Sequence, residues 1–215
     1  QVWLQDGLST PLYRVLPRGA DVAVVKDDIV SALGLPMFVK PPHEGSSLGA
    51  GKVETADELQ AACELAWKYD THALIEQCVE GRELTCAVLG HGETAQVLPI
   101  VEIKAPEGDY NFHNKYKGND TVYVCPAELS DDQTAAIQAM VLEAYRALGC
   151  SGWGRADVLL RASDDKAFLL EMNTSPGMTD HSLVPMAART FGIPYEELVV
   201  RLLCDARLHV QRTVG

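Results

Sequence analysis

The chain has 215 residues, 47% of them hydrophobic, so it is long enough to bury a core in one domain or in two small lobes. Its formal net charge is −12 and its pI is about 4.8. Because nucleic-acid backbones are bound by clustered lysine and arginine side chains, this balance argues against a nucleic-acid partner. A polyphosphate ligand would therefore be met by a few well-placed cations and a metal ion.

The cysteines and the apolar runs indicate the compartment. The six cysteines, at positions 63, 78, 86, 125, 150 and 204, lie in apolar segments without paired short spacing. This pattern favours buried free thiols in a reducing cytosol over disulfides or zinc. We find no signal peptide and no apolar run long enough to span a bilayer, so we expect a cytoplasmic protein without membrane insertion.

The first six residues contain no initiator Met and resemble the middle of a helix that ends at Gly7. We therefore expect a fragment whose upstream domain is absent.

The first predicted strand, residues 37–40, leads into a glycine- and serine-rich loop at 44–51. The loop resembles the end of a P-loop, but Ser46 stands where the first glycine belongs and Val53 replaces the Mg²⁺-binding serine or threonine. It is either a flexible turn or a run of amides and hydroxyls that folds over phosphates. Lys40 favours the second interpretation, because it ends an apolar strand where its charge can meet a phosphate.

The next segment contains a helix and three predicted strands. A capping box formed by Thr55 and Glu58 opens the helix, which runs to about residue 69. The strands lie near residues 73–76, 84–89 and 94–99. Glu76 and Glu83 flank a glycine turn, where such carboxylates are either solvated or bind an adenine amino group and a ribose diol.

Residues 104–120 form a long polar stretch without periodicity, rich in glycine, asparagine, aspartate and aromatic residues. Loops of this length are usually disordered or act as functional lids. Lys115 and Tyr116 lie inside it, either as ordinary surface residues or as part of a lid that closes on a ligand.

The following segment predicts a second helix at 130–148, opened by Ser130 with Gln133, and then a β-hairpin. If the turn centres near Asp164, Asp157 lies opposite Glu171. Alternation then divides the side chains between two faces, with Arg155, Asp157, Glu171 and Asn173 on one and Val158, Leu160, Phe168 and Leu170 on the other. Helices near 182–191 and 195–204 complete the predicted elements.

The polar face of this hairpin is a candidate metal site. Two carboxylates directly across a ladder repel each other unless a cation lies between them. Hard oxygen ligands suit Mg²⁺, which completes its octahedron with water and substrate phosphates. Acidic hairpin faces are more often merely solvated, but this one continues into a Pro-Gly loop, which favours the metal site.

Taken in order, these segments resemble the ATP-grasp superfamily and, within it, the D-alanine–D-alanine ligases. The matching text includes VKP at 39–41, EGSSLG at 44–49, KY at 115–116, YVCPA at 123–127 and GWGRADV at 152–158. The most specific text is EMNTSPGMT at 171–179 followed by HSLVPMAA at 181–188. The resemblance extends from the start of the chain to about residue 204. The metal hairpin alone is typical of the whole superfamily and does not single out the ligases.

The resemblance implies an α+β ATP-grasp fold, in which two lobes with antiparallel sheets enclose the nucleotide. Residues 1–82 would form the small lobe, truncated at its start. Residues 83–210 would form the large lobe, with the lid at about 104–120.

The resemblance also implies an ATP site. Lys40 and the Ser46–Ser47 loop would bind the phosphates, and Lys115 would reach the transferred phosphate and the substrate from the lid. The remaining implied nucleotide contacts are Glu76 and the backbone around Cys78 and Val79 for adenine, and Glu83 for the ribose. Asp157, Glu171 and Asn173 would hold two Mg²⁺ ions, with Mn²⁺ as an alternative.

The implied reaction joins two D-alanines through an acyl phosphate, as a step in making peptidoglycan precursors. Arg155 and the Gly177 amide would stabilise the oxyanion. Ser182 and the Leu183 amide would hold the second substrate's carboxylate at a helix start. Ser46 and Tyr116 would orient substrate and lid.

Several departures qualify this interpretation. In the family, an upstream domain supplies a glutamate near the first D-alanine and much of the homodimer contact, and a lysine normally lies just upstream of the position of Gln1. We expect both to be absent from this chain. Cys78 stands where an aromatic residue is often found. In the family, Tyr at position 116 accompanies D-alanine as acceptor, although Tyr116 is otherwise a lid packing residue.

Two alternatives to the ligase interpretation stay open. In the first alternative, the chain is a Mg-ATP-binding fragment without ligase activity of its own. In the second alternative, it is another ATP-grasp carboxylate–amine ligase. The second alternative should lack the text at 175–178 and 181–183.

Overall fold

The computed structural model describes residues 1–44, 48–104 and 121–206, and these residues form two antiparallel sheets with helices packed on them. This arrangement confirms the predicted α+β class. In chain order the elements are α1 Val2–Gln5, β1 Tyr13–Pro17, α2 Val22–Leu33, β2 Met37–Lys40, β3 Gly51–Val53, α3 Leu59–Ala66, β4 His72–Gln77, β5 Gly81–His91, β6 Gln96–Val97, β7 Val101–Lys104, β8 Val122–Val124, α4 Asp131–Ala147, β9 Ser151–Arg161, β10 Ala167–Asn173, α5 Leu183–Phe191 and α6 Tyr195–Asp205.

The first sheet has the strand order β1-β4-β2-β3 and shares a buried cluster with α2 and α3. Strand β2 matches the predicted strand, and the capping box of Thr55 and Glu58 is present, although it opens a short 3₁₀ turn before α3. Strand β1 and helix α2 were not predicted. The first helical turn of α2 is rich in valine, a weak helix former, so its sequence does not favour a helix over a strand.

The second sheet has the order β10-β9-β5-β7-β8, with β6 on β5. Its centre is the pair β5 and β9, each 11 residues long and paired along their whole length. Helix α4 packs in the buried cluster on one side, and α5 and α6 pack in a separate cluster on the other. The predicted strand at 94–99 is reduced to the two residues of β6, which follow a 3₁₀ turn.

A short connection of residues 78–80 joins the two sheets. Strand β5 enters the second sheet at Gly81, where a Cβ atom would lie 2.0 Å from the carbonyl oxygen of Leu160. Only glycine permits this close approach of two backbones. The connection therefore leads directly from β4 of the first sheet to β5 in the centre of the second sheet.

The first ten residues contact the second sheet rather than the first. Trp3 is part of the cluster under α4 and its indole N–H donates to the carbonyl oxygen of Ala144 at 3.2 Å. The Thr10 hydroxyl donates to the carbonyl oxygen of Leu169 at 2.9 Å. These contacts join the first residues of the chain to the larger sheet. The division of the chain into two lobes at residue 82 stays a prediction.

The hairpin of β9 and β10 pairs Asp157 with Glu171, as predicted. The predicted apolar face is wrong in β10, because the register shifts between Leu169 and Glu171. This bulge places Leu169, rather than Leu170, opposite Val158 in the core. The ring of Phe168 instead lies 4.7 Å from the guanidinium of Arg161.

All six cysteines are free, as predicted, but four of them are not buried, contrary to the prediction. Cys63 and Cys86 are fully buried, but Cys204 is exposed at the end of α6. Burial raises the pKa of the Cys63 thiol to about 11. Among the described helices, none combines the length and the apolar character needed to cross a membrane.

Candidate functional site

The Asp157 carboxylate is the centre of the polar face of the second sheet. It is 7% exposed and is held by three side chains. The Thr85 hydroxyl donates to its Oδ1 at 2.9 Å, and the Arg155 guanidinium donates to both oxygens at 2.8 Å. The Asn173 amide donates to Oδ2 at 3.2 Å. Strands β5, β9 and β10 thus all contribute to one carboxylate.

Glu171 lies beside this group and is exposed to solvent. The Asn173 amide nitrogen lies 3.2 Å from Glu171 Oε1 and also bonds Asp157, so the amide bridges the two carboxylates. In residues 1–44, 48–104 and 121–206, no three His, Cys, Asp or Glu side chains cluster as metal ligands. The candidate donors here are the Asp157 and Glu171 carboxylates and the Asn173 amide. Once the amide rotates to present its oxygen, these groups offer hard oxygen ligands, which fit a divalent cation such as Mg²⁺.

Strand alternation extends this face along β5 and β9. Glu83 and Thr85 lie on the same face of β5, and Arg155 and Asp157 lie on the same face of β9. Thr85 pairs with Asp157, and Ala87 pairs with Arg155. Three predicted site residues therefore form a row in the order Glu83, Asp157, Arg155. Along the strand direction, successive members of the row are offset by two residues, or about 7 Å, and Glu83 also lies one strand away from Asp157.

The first sheet brings Lys40 and Glu76 together. They lie on the neighbouring strands β2 and β4, and the Lys40 ammonium is 2.5 Å from Glu76 Oε2. The Lys40 side chain is 28% exposed and that of Glu76 is 13% exposed. Lys40 and Glu76, the residues predicted to contact phosphate and adenine, therefore form one partly exposed ion pair.

The connection between the sheets contains Cys78 and Val79. The backbone N–H of Cys78 donates to the carbonyl oxygen of Pro36 at 3.2 Å, and the Val79 side chain is buried. Burial raises the pKa of the Cys78 thiol. Since the Cys78 N–H is already bonded within the protein, any adenine contact here falls to other backbone groups of the connection.

The segment after Asn173 brings Gly177 next to Ser182. A Cβ atom on Gly177 would lie 3.1 Å from the Ser182 hydroxyl. That hydroxyl accepts the Thr179 N–H at 3.0 Å and lies 2.8 Å from the Thr179 hydroxyl. Ser182 is the N-cap of α5 and Leu183 is its first residue, so the predicted carboxylate contacts lie at a helix N-terminus, where anions are favoured.

Four predicted site residues, Ser46, Ser47, Lys115 and Tyr116, lie outside the described residues. The other predicted residues fall into three groups. The second sheet contains Glu83, Arg155, Asp157, Glu171 and Asn173. The first sheet contains Lys40 and Glu76, and the connection after it contains Cys78 and Val79. The third group, Gly177, Ser182 and Leu183, lies at the start of α5.

The sequence analysis did not single out Thr85, which bonds Asp157, or Asp70, which bonds His43 before the glycine- and serine-rich loop. Thr85 is the polar residue between Leu84 and Cys86, and its alternation with Glu83 is a signal that places it on the functional face. Asp70 follows α3, and its Oδ2 accepts from the backbone N–H of His43 at 3.0 Å and lies 2.8 Å from His43 Nδ1. Burial alone would raise the pKa of Asp70, but the hydrogen bonds from His43, His72 and Thr71 outweigh it and lower the pKa.

Comparison with known proteins gives a consistent family match. Residues 2–204 match the model of the family described as D-ala D-ala ligase C-terminus. The chain is 52% identical over 208 residues to the D-alanine–D-alanine ligase of Ralstonia pickettii strain 12J, covering 97% of this chain and 62% of that protein. It is 47% identical over 211 residues to the D-alanine–D-alanine ligase of Herminiimonas arsenicoxydans, covering 98% and 63%.

Solved structures agree. The D-Ala:D-Ser ligase VanG from Enterococcus faecalis superposes with a TM-score of 0.81 at 31% identity, over 94% of this chain and 58% of that one. The D-alanine–D-alanine ligase from Bacillus anthracis complexed with ATP gives a TM-score of 0.77 at 28% identity, over 95% and 62%. The chain therefore spans less than two thirds of the length of these relatives.

Proposed function

Because the chain belongs to the D-alanine–D-alanine ligase family and has its ATP-grasp fold, we propose that it supplies the nucleotide site and the catalytic groups of an ATP-dependent ligase that joins two D-alanines. The product would be D-alanyl-D-alanine, a peptidoglycan precursor. The observation that carries this proposal is the row of Glu83, Asp157 and Arg155 on one face of the second sheet.

The order of the row fits an extended nucleotide. Glu83 at one end would bind the ribose, and Asp157 with Glu171 and Asn173 would hold Mg²⁺ beside the phosphates. Arg155 lies one step farther along β9, where the acyl group would be. Mg²⁺, when bound, neutralises phosphate charge during in-line transfer.

In the proposed reaction the carboxylate of the first D-alanine attacks the γ-phosphorus of ATP, and ADP leaves. The amine of the second D-alanine then attacks the carbonyl carbon of the acyl phosphate, loses a proton, and inorganic phosphate leaves. Arg155 and the Gly177 N–H would face the oxyanion that develops in the second step. Ser182 and the Leu183 N–H would hold the carboxylate of the second D-alanine at the start of α5.

Lys40 would contact the phosphates from the first sheet, next to Glu76. The proposed roles of Ser46, Ser47, Lys115 and Tyr116 rest on the sequence resemblance. By that resemblance they would belong to the phosphate loop and to a lid that protects the acyl phosphate from water.

The experiment that tests the proposal measures ADP release from Mg-ATP by this chain, with and without D-alanine, and identifies the amino-acid product by mass spectrometry. We expect release that depends on D-alanine and yields the dipeptide. ADP release that is indifferent to D-alanine would contradict the proposal.

A second candidate is a Mg-ATP-binding unit without ligase activity of its own. The observation that favours it is that this chain covers only 62% of the length of the D-alanine–D-alanine ligase of Ralstonia pickettii. Saturable binding of Mg-ATP without ADP release, in the same experiment, would support it. A competition of D-serine against D-alanine would test the acceptor, since the VanG relative is a D-Ala:D-Ser ligase.

A further inference from the structure

We propose that Thr85 is a positioning residue that fixes the Asp157 carboxylate for the divalent cation. This inference rests on the metal role of Asp157 in the proposed function. Thr85 does not touch the cation or the substrate in this proposal. It acts through the single hydrogen bond from its hydroxyl to Asp157 Oδ1 at 2.9 Å.

The strand register makes this contact direct. Thr85 and Asp157 are paired residues of β5 and β9, the two central strands of the second sheet. Thr85 is 1% exposed, so its hydroxyl is shielded from water that would compete for the bond. A threonine side chain has restricted χ1 freedom, which keeps the hydroxyl oxygen in one place.

The other donors to Asp157 have proposed tasks of their own. Arg155 donates to both carboxylate oxygens, but the proposed reaction uses its guanidinium at the oxyanion. Asn173 donates to Oδ2 through its amide nitrogen, whereas a cation would need its amide oxygen. Thr85 is the donor that can keep its bond throughout, because one carboxylate oxygen can accept a hydrogen bond and still bind a cation.

The expected consequence is on cation affinity. Outer-shell hydrogen bonds orient metal ligands, and their removal typically lowers metal affinity or activity by about 10- to 100-fold. Without the Thr85 hydroxyl, the Asp157 carboxylate would keep its charge but lose a neutral donor that fixes its rotation. The cation would then bind to a less organised ligand.

Thr85→Val is a sharp test because valine has nearly the same shape and lacks the hydroxyl. We expect the dissociation constant for Mn²⁺ alone, followed by electron paramagnetic resonance, to rise about 10-fold or more. We also expect the KM for Mg²⁺ in the ADP-release assay to rise while kcat at saturating Mg²⁺ changes little. Thr85→Ser, which keeps the hydroxyl, should restore most of the affinity.

Thr10→Val is the matched control, because the Thr10 hydroxyl also bonds the second sheet, at the carbonyl oxygen of Leu169. Unaltered Mn²⁺ affinity in Thr85→Val, an equal loss in both valine variants, or no saturable Mn²⁺ binding by the unaltered chain would overturn the inference. If Mn²⁺ binding depends on Thr85 but no D-alanine-dependent ADP release occurs, the ligase proposal fails and this inference stands.

Discussion

Arg155 and Asp157 on the second sheet lie in the middle of a long paired strand, whereas Lys40 and Glu76 on the first sheet lie near the ends of short ones. Asp157 is inside β9, which has 11 residues, and it accepts hydrogen bonds from three neighbouring side chains. Lys40 is the last residue of β2, which has 4 residues, and the structure pairs it with Glu76. The two regions therefore differ in how firmly they fix a charged group.

This difference corresponds to the proposed division of work. A metal site and an oxyanion site require ligands that are held before the substrate arrives, because reorganisation during the reaction costs free energy. A phosphate contact at the edge of a loop tolerates more movement, since a lysine ammonium acts as a point charge. We expect substitutions on the second sheet to reduce turnover and those on the first sheet to weaken nucleotide binding.

Glu171→Gln should have the largest effect. Glutamine keeps the shape but removes the charge of a proposed cation ligand, and a lost metal contribution of several kcal/mol corresponds to a rate decrease on the order of 100-fold or more. The fold should persist, because Glu171 is exposed. ADP release at limiting Mg²⁺ and circular dichroism measure the two outcomes. Glu93→Gln, at an exposed turn, is the control, and wild-type turnover of Glu171→Gln would refute the metal assignment.

Gly81→Ala tests the junction between the two regions. The new Cβ atom would lie 2.0 Å from the carbonyl oxygen of Leu160, so β5 and β9 would have to separate locally. We expect a loss of about 1–3 kcal/mol in the free energy of unfolding, as for other overpacked sites, measured by urea denaturation. Gly51→Ala in β3, whose Cβ would meet no atom within 4 Å, is the matched control and should be near neutral. Equal stability of the two variants would show that β5 can shift freely.

The main polar pairing of the second sheet was predictable from sequence, because two alternating runs around a short turn fix which residues face each other. The bulge between Leu169 and Glu171 was not. It places Leu169 in the core and still brings Glu171 opposite Asp157, and this depends on packing against α4, which local alternation does not contain.

Contacts between distant segments were also beyond the sequence pattern. The bond from Thr85 to Asp157 spans 72 residues and depends on which strand lies beside β9. The Lys40–Glu76 pair likewise depends on the order of strands in the first sheet. By contrast, Gly177 and Ser182 were implied together by a specific family motif, and in the structure a Cβ atom built on Gly177 would lie 3.1 Å from the Ser182 hydroxyl.

Lys40→Met tests the first sheet. It removes the ammonium while keeping an unbranched side chain, and a hydrogen bond to a charged group contributes about 1.5–3 kcal/mol, or roughly 10- to 100-fold in affinity. We expect the KM for ATP to rise more than kcat falls. Lys26→Met, which removes the partly exposed partner of the exposed Asp57, is the control. A fall in kcat alone would show that Lys40 acts in the chemical step and would remove the distinction between the sheets.

Asp70→Asn should have the smallest effect and depends on pH. The pKa of Asp70 is lowered in the folded protein, so its ionised form contributes stability above the unfolded pKa of about 3.9, and this contribution is lost as the pH falls further toward the folded pKa. The midpoint of thermal unfolding should therefore be lower for Asp70→Asn than for the unaltered chain at pH 7, and this difference should begin to shrink as the pH falls below about 4. Asp57→Asn, at an exposed carboxylate paired with Lys26, is the control and should show little difference at either pH. A difference that is constant from pH 7 to pH 3 would mean that Asp70 stabilises the fold by shape rather than charge.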